Sequence, residues 1–333
     1  MSSSIPIIDS HIHLFDSSSA PSHNWYTPSS PLSAQHSLPE YLSSTTSAPQ
    51  PPGFILIEAD RKNGSSKDWT NPLEEISFAR SIVTGEQGNL CLAIIPWAPL
   101  NLGSEKLQEY LTQAESQAGP ETWAKIKGFR YLLQDKPNCH GLTDSFIDSL
   151  KLLGRKKYVF DVGIDQHRRG RIQLEELVDI IDRSHEDVEE DDKVVFILNH
   201  LCKPDLSIRN QTVDPAFIAW RTAMFTLSKC HRTYMKLSGL FEEMPESLSS
   251  RSPEEIVSAI LPWLAVVVAA FGPNRIMFGS NWPVCTLAVP EEEKENAWKK
   301  WHRVVELVCD LAGLGEEDQA MLWSGTAKKA YNI

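Results

Sequence analysis

Val194-Val195-Phe196-Ile197-Leu198 runs directly into Asn199-His200. The apolar residues are continuous rather than alternating, and β-branched side chains predominate, so the run reads as a strand buried on both faces, as in a parallel sheet. Phe54-Ile55-Leu56-Ile57 has the same character and ends in Glu58. Outward from these two, further β-rich runs fall at Pro6–Asp9, Leu90–Ile95, Lys125–Arg130, Tyr158–Val162, Tyr234–Leu237 and Arg275–Phe278. Helix-like segments separate or follow them: Leu73–Thr84, Ser104–Gln117, Ile172–Ser184, Asp214–Lys229, Ser252–Phe271, Trp298–Leu311 and Glu316–Tyr331. Alternating strands and helices predict an α/β chain with a parallel sheet. Eight strands in 333 residues suit a single-domain (β/α)8 TIM barrel over 1–333. A doubly wound open sheet is the alternative, but no G-x-G-x-x-G follows the first strand.

The segment 17–52 breaks the rhythm. It is rich in Ser and Pro, shows little helical periodicity, and contains Trp25, Tyr26 and Tyr41, which a plain linker does not need. It reads as a loop covering the barrel mouth. The acidic stretch Glu186–Asp192 reads as a solvated surface turn.

Lys and Arg total 32 against 44 Asp and Glu, a net charge of −12, which argues against nucleic acid or an anionic membrane as partner and leaves a small molecule. The hydrophobic share of 41% and charged share of 23% are those of an ordinary globular protein. None of the six cysteines forms C-x-x-C, so reduced thiols are expected. Met1-Ser2-Ser3-Ser4 carries no basic leader, and the apolar stretch Ile256–Phe271 contains Pro262 and is short for a membrane span. A barrel helix and a cytoplasmic protein are the expectation; oligomeric state is left open.

In a barrel the chemistry sits at the C-terminal ends of the strands. Those ends here are His11-Ile12-His13, Glu58, Arg130, Asp161, Asn199-His200, Lys236-Leu237-Ser238-Gly239 and Gly279-Ser280-Asn281-Trp282-Pro283. Nearly every one can bind a metal, an oxyanion or a hydroxyl. Residues His11 and His13 leave a strand on the same face, so two imidazoles converge as a divalent metal requires. His200 and Glu58 are available to complete such a set.

The run Ile8-Asp9-Ser10-His11-Ile12-His13-Leu14-Phe15-Asp16 resembles the opening signature of the amidohydrolase-related, TIM-barrel, metal-dependent hydrolases. Asn199-His200-Leu201-Cys202-Lys203-Pro204, Lys236-Leu237-Ser238-Gly239-Leu240 and Met277-Phe278-Gly279-Ser280-Asn281-Trp282-Pro283-Val284 resemble that family's motifs on strands six, seven and eight. The order and span point to the branch of sugar-acid lactonases and pyrone-dicarboxylate lactonases. The resemblance implies that His11 and His13 hold a divalent metal, zinc before manganese, with Glu58 or His200, and metal-free operation is the alternative. His200 then binds metal or polarises the substrate carbonyl, and Arg130 contacts substrate. Arg61, Lys236 and Asn199 add polar contacts, while Trp25 and Trp282 wall the pocket.

One position departs from the pattern. Asn281 stands where the branch usually has the aspartate of G-S-D-W-P, which serves as metal ligand and as general base for the hydrolytic water. An amide cannot accept that proton. Either the metal suffices, or Glu58 or Asp161 takes over, or the protein does something other than hydrolysis. Lactone hydrolysis is therefore the leading expectation. A metal-dependent decarboxylase or other lyase, and a catalytically altered binding protein, are the alternatives.

Overall fold

In the computed structural model, which describes residues 5–63 and 68–333, each strand lies parallel to the next in the chain. The strands are β1 (Ile8–Ile12), β2 (Gly53–Ile57), β3 (Cys91–Ile95), β4 (Gly128–Leu132), β5 (Val159–Gly163), β6 (Phe196–Leu198), β7 (Thr233–Leu237) and β8 (Ile276–Phe278). Continuous ladders join β1 to β3 and β4 to β8. Parallel bridges Ile94↔Ile126 and Trp97↔Arg130 link β3 to β4, and Ile12↔Trp282 links β1 to the end of β8. The ring is thereby closed, as in a (β/α)8 barrel. The reading of Met1–Ser4 lies outside the described residues.

β1 carries a bulge. Its register against β2 shifts between Asp9 and Ile12, which pair with Phe54 and Leu56. Before the bulge Ile8 faces the barrel interior with Ile55, Ile57, Ile197 and Met277. After it Ile12 and Leu14 join the outer layer, which turns His11 and His13 inward. Asp9 faces the other way and is held there by Tyr41 Oη (3.1 Å), Trp298 Nε1 (2.9 Å) and the Ser280 amide (2.8 Å).

The core has two compartments. The larger fills the space between barrel and helices with aromatics such as Trp220, Trp263, Trp298 and Trp301. The smaller lies inside the barrel and is closed from below by Ala327, Ala330 and Tyr331 of the last helix, Thr326–Tyr331.

Several helices differ from their expected limits for local reasons. The helix Ser104–Lys125 loses helical backbone at Gly119 (φ 70°), just before Pro120, which accounts for the expected end at Gln117. The expected helix Glu316–Tyr331 contains a π segment at Met321–Gly325. Asp144–Arg155, not expected, forms a helix with Thr143 as N-cap and Phe146, Ile147, Leu150 and Leu153 buried on one face. Segment 17–52 also contains a helix, Leu38–Ser44, started by a Ser37/Glu40 capping box. The apolar helix Pro253–Phe271 is long enough to cross a membrane, but its Ile256, Ile260, Trp263 and Val267 face is buried.

Candidate active site

The inward positions at the strand ends form one polar layer above the apolar barrel floor. His11 Nε2 and His13 Nε2 stand 3.2 Å apart. The Nδ1–H of His13 donates to the carbonyls of Glu58 (2.8 Å) and Ile57 (3.2 Å), which leaves its Nε2 as a lone-pair donor. The Nδ1 of His11 accepts from Lys236 Nζ at 3.1 Å. His200 packs against His11 with ring centroids 4.5 Å apart, and its Nδ1 pairs with Ser238 Oγ at 2.8 Å. Burial, reinforced by nearby cations, holds all three imidazoles neutral. His13 is lowered to about 3, and His11 and His200 fall well below the usual histidine range.

His200 is aimed by an unusual turn. His200, Leu201, Cys202 and Lys203 all have positive φ, between 49° and 60°. Left-handed backbone at consecutive non-glycine residues is costly and needs external support. Trp220 Nε1 donates to the Leu201 carbonyl at 2.8 Å, and the His167 amide donates to the Lys203 carbonyl at 2.8 Å. From the other side the β7 loop closes onto the ring, where a Cβ on Gly239 (φ 61°) would lie 2.3 Å from His200 Nδ1. Glycine is required there both by conformation and by space.

Below the histidines runs a buried charge network. Lys236 Nζ donates to Asp161 Oδ2 at 2.6 Å, and neither side chain is exposed to solvent (0% each). Asn199 Nδ2 donates to Asp161 Oδ1 at 2.6 Å, and the Tyr331 hydroxyl reaches Oδ2 at 2.8 Å from beneath. Burial alone would raise the Asp161 carboxyl, but Lys236, Arg130 and these hydrogen bonds outweigh it and hold it below the usual range. Lys236 is pushed by burial down to about 8, against the pull of Asp161. With both oxygens engaged, Asp161 is a poor proton acceptor. The arrangement suits Asp161 to anchoring Lys236 rather than to the base role considered for it.

Arg130 enters from β4. Its Nη1 donates to the Glu58 carbonyl at 3.3 Å and faces Glu58 Oε1 at 3.4 Å, while its Nε is buried without a hydrogen-bond partner. Glu58 Oε2 accepts from the Asp60 amide at 2.6 Å. Burial pushes the Glu58 carboxyl up to about 8 despite Arg130, with Glu75 and Asp60 adding to the rise.

Asn281, with φ 61°, is tied to β1 by its amide, which donates to the His11 carbonyl at 2.9 Å. Its Nδ2 donates to Glu242 Oε2 at 3.4 Å. Trp282 is buried beneath Tyr41 and His36, which meet it edge-on at 5.5 Å each. Arg61 and Trp25 are engaged in packing the first loop rather than in this layer. The Arg61 backbone forms an antiparallel bridge with His23, and its guanidinium faces Glu74 at 3.7 Å. Trp25 stacks on His23 and donates to the Ala59 carbonyl at 2.7 Å. The pocket-wall and substrate-contact roles expected for these two find no support in that packing. Sequence reasoning missed Glu242 and Tyr331, whose positions depend on contacts across the barrel, and gave Ser238 no role of its own. Ser238 alone had a local signal, its place at the end of β7.

The pair His11 and His13 suits a metal. Two nitrogens each about 2.0–2.1 Å from a tetrahedral ion stand about 3.3–3.4 Å apart, close to the separation observed. Glu58 Oε1, buried without a hydrogen-bond partner, is a further donor on the next strand. Among the described residues no three His, Cys, Asp or Glu side chains already surround one point, so a third ligand would have to move in.

A closed parallel barrel with paired β1 histidines, a β6 histidine and a polar strand-end layer is the architecture of one hydrolase class. The chain belongs to the amidohydrolase family, whose model, described as Amidohydrolase, matches residues 114–333. Within that family it is 33% identical to an L-rhamnono-gamma-lactonase of Scheffersomyces stipitis over 98% of both chains. It is 29% identical to an L-fucono-1,5-lactonase of Burkholderia multivorans over 63% of this chain and 64% of that one. An amidohydrolase from Burkholderia multivorans, crystallised with bound zinc, superposes with a TM-score of 0.74 at 25% identity, covering 98% of this chain and 99% of that one.

Proposed function

We propose that this chain is a lactonase that opens the cyclic ester of a sugar acid or a related small organic acid. The observation that carries the reading is the strand-end layer of His11, His13, His200, Arg130 and Lys236, in a chain similar along its whole length to a sugar-acid lactonase. A divalent ion held by His11 and His13, with Glu58 or His200 completing the set and zinc preferred to manganese, would polarise the ring carbonyl and acidify water.

The chain's own groups divide the remaining work. His200 keeps Nε2 free because Ser238 engages Nδ1, so it can face the carbonyl oxygen as charge develops there. Arg130, whose Nε faces Asp161 Oδ1 at 4.0 Å without a hydrogen bond, offers a planar fork to a substrate carboxylate or hydroxyl. Lys236 hydrogen-bonds the back of His11 and is anchored by Asp161. Segment 17–52 covers the β1 and β8 side of the mouth, a role supported by the contacts of His36 and Tyr41 with Trp282.

The test is a panel of sugar-acid γ- and δ-lactones followed by proton release at constant pH, with metal content measured on the same protein. Ring opening releases one proton per turnover. Carbon dioxide release from an aromatic or β-keto acid, without lactone turnover, identifies a lyase instead. The double variant His11→Ala/His13→Ala is expected to lose bound metal and activity together. Full lactonase activity in that variant overturns the metal-assisted route.

A further inference from the structure

With an amide at 281, both Asp161 oxygens hydrogen-bonded, and Glu58 held by Arg130 and the Asp60 amide, the strand-end layer leaves the hydrolytic proton to another carboxylate. One stands beside Asn281. Glu242 lies on the loop after β7, in the short helical turn Phe241–Glu243. Its Oε2 accepts from Asn281 Nδ2, and its Oε1 is shielded from solvent with no hydrogen-bond partner. The loop that carries it begins with Ser238 and Gly239, the residues that hold the His200 ring. Glu242 therefore stands beside Asn281, on the same loop as the two residues that hold His200.

Resting on the lactonase reading above, we propose that Glu242 is the general base of this site, the carboxylate having moved from the end of β8 to the β7 loop. Asn281 is then a positioning residue. Its amide fixes one oxygen of Glu242 and leaves the other without a hydrogen-bond partner among the described residues. An aspartate at 281 would set two carboxylates about 3.4 Å apart, where like charges force them to share a proton. The amide at 281 and the glutamate at 242 are thus a matched pair.

The step balances without a further reagent. Water forms its C–O bond to the lactone carbonyl carbon while Glu242 takes one of its protons, and the carbonyl π pair moves onto oxygen. As the tetrahedral intermediate collapses the ring C–O bond breaks, and Glu242 returns the proton to the departing ring oxygen. The product is the open hydroxy acid, and the carboxylate is regenerated.

The surroundings suit this task. Burial raises the Glu242 carboxyl to about 7, and Glu243 adds to the rise. Lys203 on the β6 turn and the Asn281 hydrogen bond oppose it. Cys285 faces Glu242 from the β8 loop as a neutral thiol, its ionisation pushed well up by burial. Arg168 on the β5 loop donates to the Glu242 backbone carbonyl at 3.4 Å and spends its other contacts on Glu243 and Asp165. A base titrating near neutrality is the most effective kind at physiological pH.

The test is a carboxylate exchange. Glu242→Gln should lower kcat by about 10²- to 10⁴-fold with KM little changed, and should remove the acid limb of the pH–rate profile near pH 7. Adding Asn281→Asp to Glu242→Gln puts the carboxylate back on β8 with an amide beside it. That double variant should recover at least about tenfold in kcat and a new acid limb, while Asn281→Asp alone should be slower than the wild type. Wild-type kcat and an unchanged acid limb in Glu242→Gln overturn the role of Glu242 and leave the lactonase reading intact. A wild type inactive on every lactone of the panel overturns both.

Discussion

Lys236 Nζ lies 3.1 Å from Nδ1 of His11, so a buried ammonium hydrogen-bonds the back of the first β1 histidine. An acceptor at Nδ1 places the His11 proton on Nε2, where it is donated to His13 Nε2 at 3.2 Å. The chain Lys236, His11, His13 and the Glu58 carbonyl is thus satisfied from end to end. A metal at His11 Nε2 needs that nitrogen bare. The imidazole proton must then move to Nδ1, facing Lys236, which can accept the contact only as a neutral amine.

Metal uptake near pH 7 should therefore release about one proton per ion, supplied by Lys236. Calorimetric titration with zinc in buffers of different ionisation enthalpy measures it. Release should fall above pH 8, since the Lys236 amine, lowered to about 8, is by then already neutral. Binding with no proton released at pH 7 would show that the ion is not held through His11 Nε2.

Arg130→Lys keeps the charge but loses the fork. The guanidinium contacts both the backbone and the side chain of Glu58, so thermal stability should fall modestly. If Arg130 also holds substrate, KM should rise by about 10- to 100-fold, the worth of one charge-assisted hydrogen bond. A lowered Tm with an unchanged KM would assign Arg130 to structure alone.

Gly239→Ala tests the support of His200. The new methyl meets the ring at 2.3 Å and imposes φ 61° on an L-residue. The ring must rotate away from Ser238, and kcat should drop by about 10²-fold or more, as for loss of one oxyanion donor. Wild-type kcat would show that the orientation of His200 is immaterial to turnover.

Glu75 provides a test of stability free of turnover. Its Oε1 accepts from the Ala59 amide at 2.7 Å, while Oε2 is buried without a partner. Burial raises its carboxyl from 4.5 to about 7. Between those values the folded chain holds a proton that the unfolded chain has lost, so stability declines as pH rises. Glu75→Gln removes that dependence. Its advantage over the wild type should grow through this window by about 1.4 kcal/mol per pH unit at the steepest. Urea unfolding at several pH values reads it, and a constant difference would mean that Glu75 ionises normally in the fold.

Much of this molecule is legible in its sequence because a continuous apolar run as short as Val194–Leu198, closed by polar residues, suits a strand covered on both faces and is too brief for a buried helix. The barrel and the histidines at its strand ends follow from such runs and from the spacing of His11 and His13. The helix Asp144–Arg155 is equally readable, with Thr143 as cap and an apolar face, but the Asp, Ser and Lys residues interleaved with that face mask it. Glu242 is not readable. No local pattern distinguishes it from Glu243, which turns instead to His167 and Arg168. Only the folded β7 loop decides which of two adjacent glutamates meets Asn281. The same holds for Asp161, whose partners Lys236, Asn199 and Tyr331 come from three distant parts of the chain.

The bulge in β1 works as a phase changer. Read as a plain strand, Ile8, Ser10 and Ile12 would share one face and Asp9, His11 and His13 the other. The extra residue lets Ile8 and the two histidines share the inside, while Asp9 serves as an outer clamp for Tyr41 and Trp298. Asp9-Ser10-His11-Ile12-His13 is accordingly one mechanical part rather than two ligands with a spacer. Deleting Ser10 would bring Ile8, His11 and His13 onto one face of a regular strand and Asp9 onto the other, so the same division of faces would survive without the bulge. Laying Ile8-Asp9-Ser10-His11-Ile12-His13 unchanged onto an unbulged barrel strand would instead put Asp9 on the face of the histidines and Ile8 on the other, the conflict that the extra residue resolves.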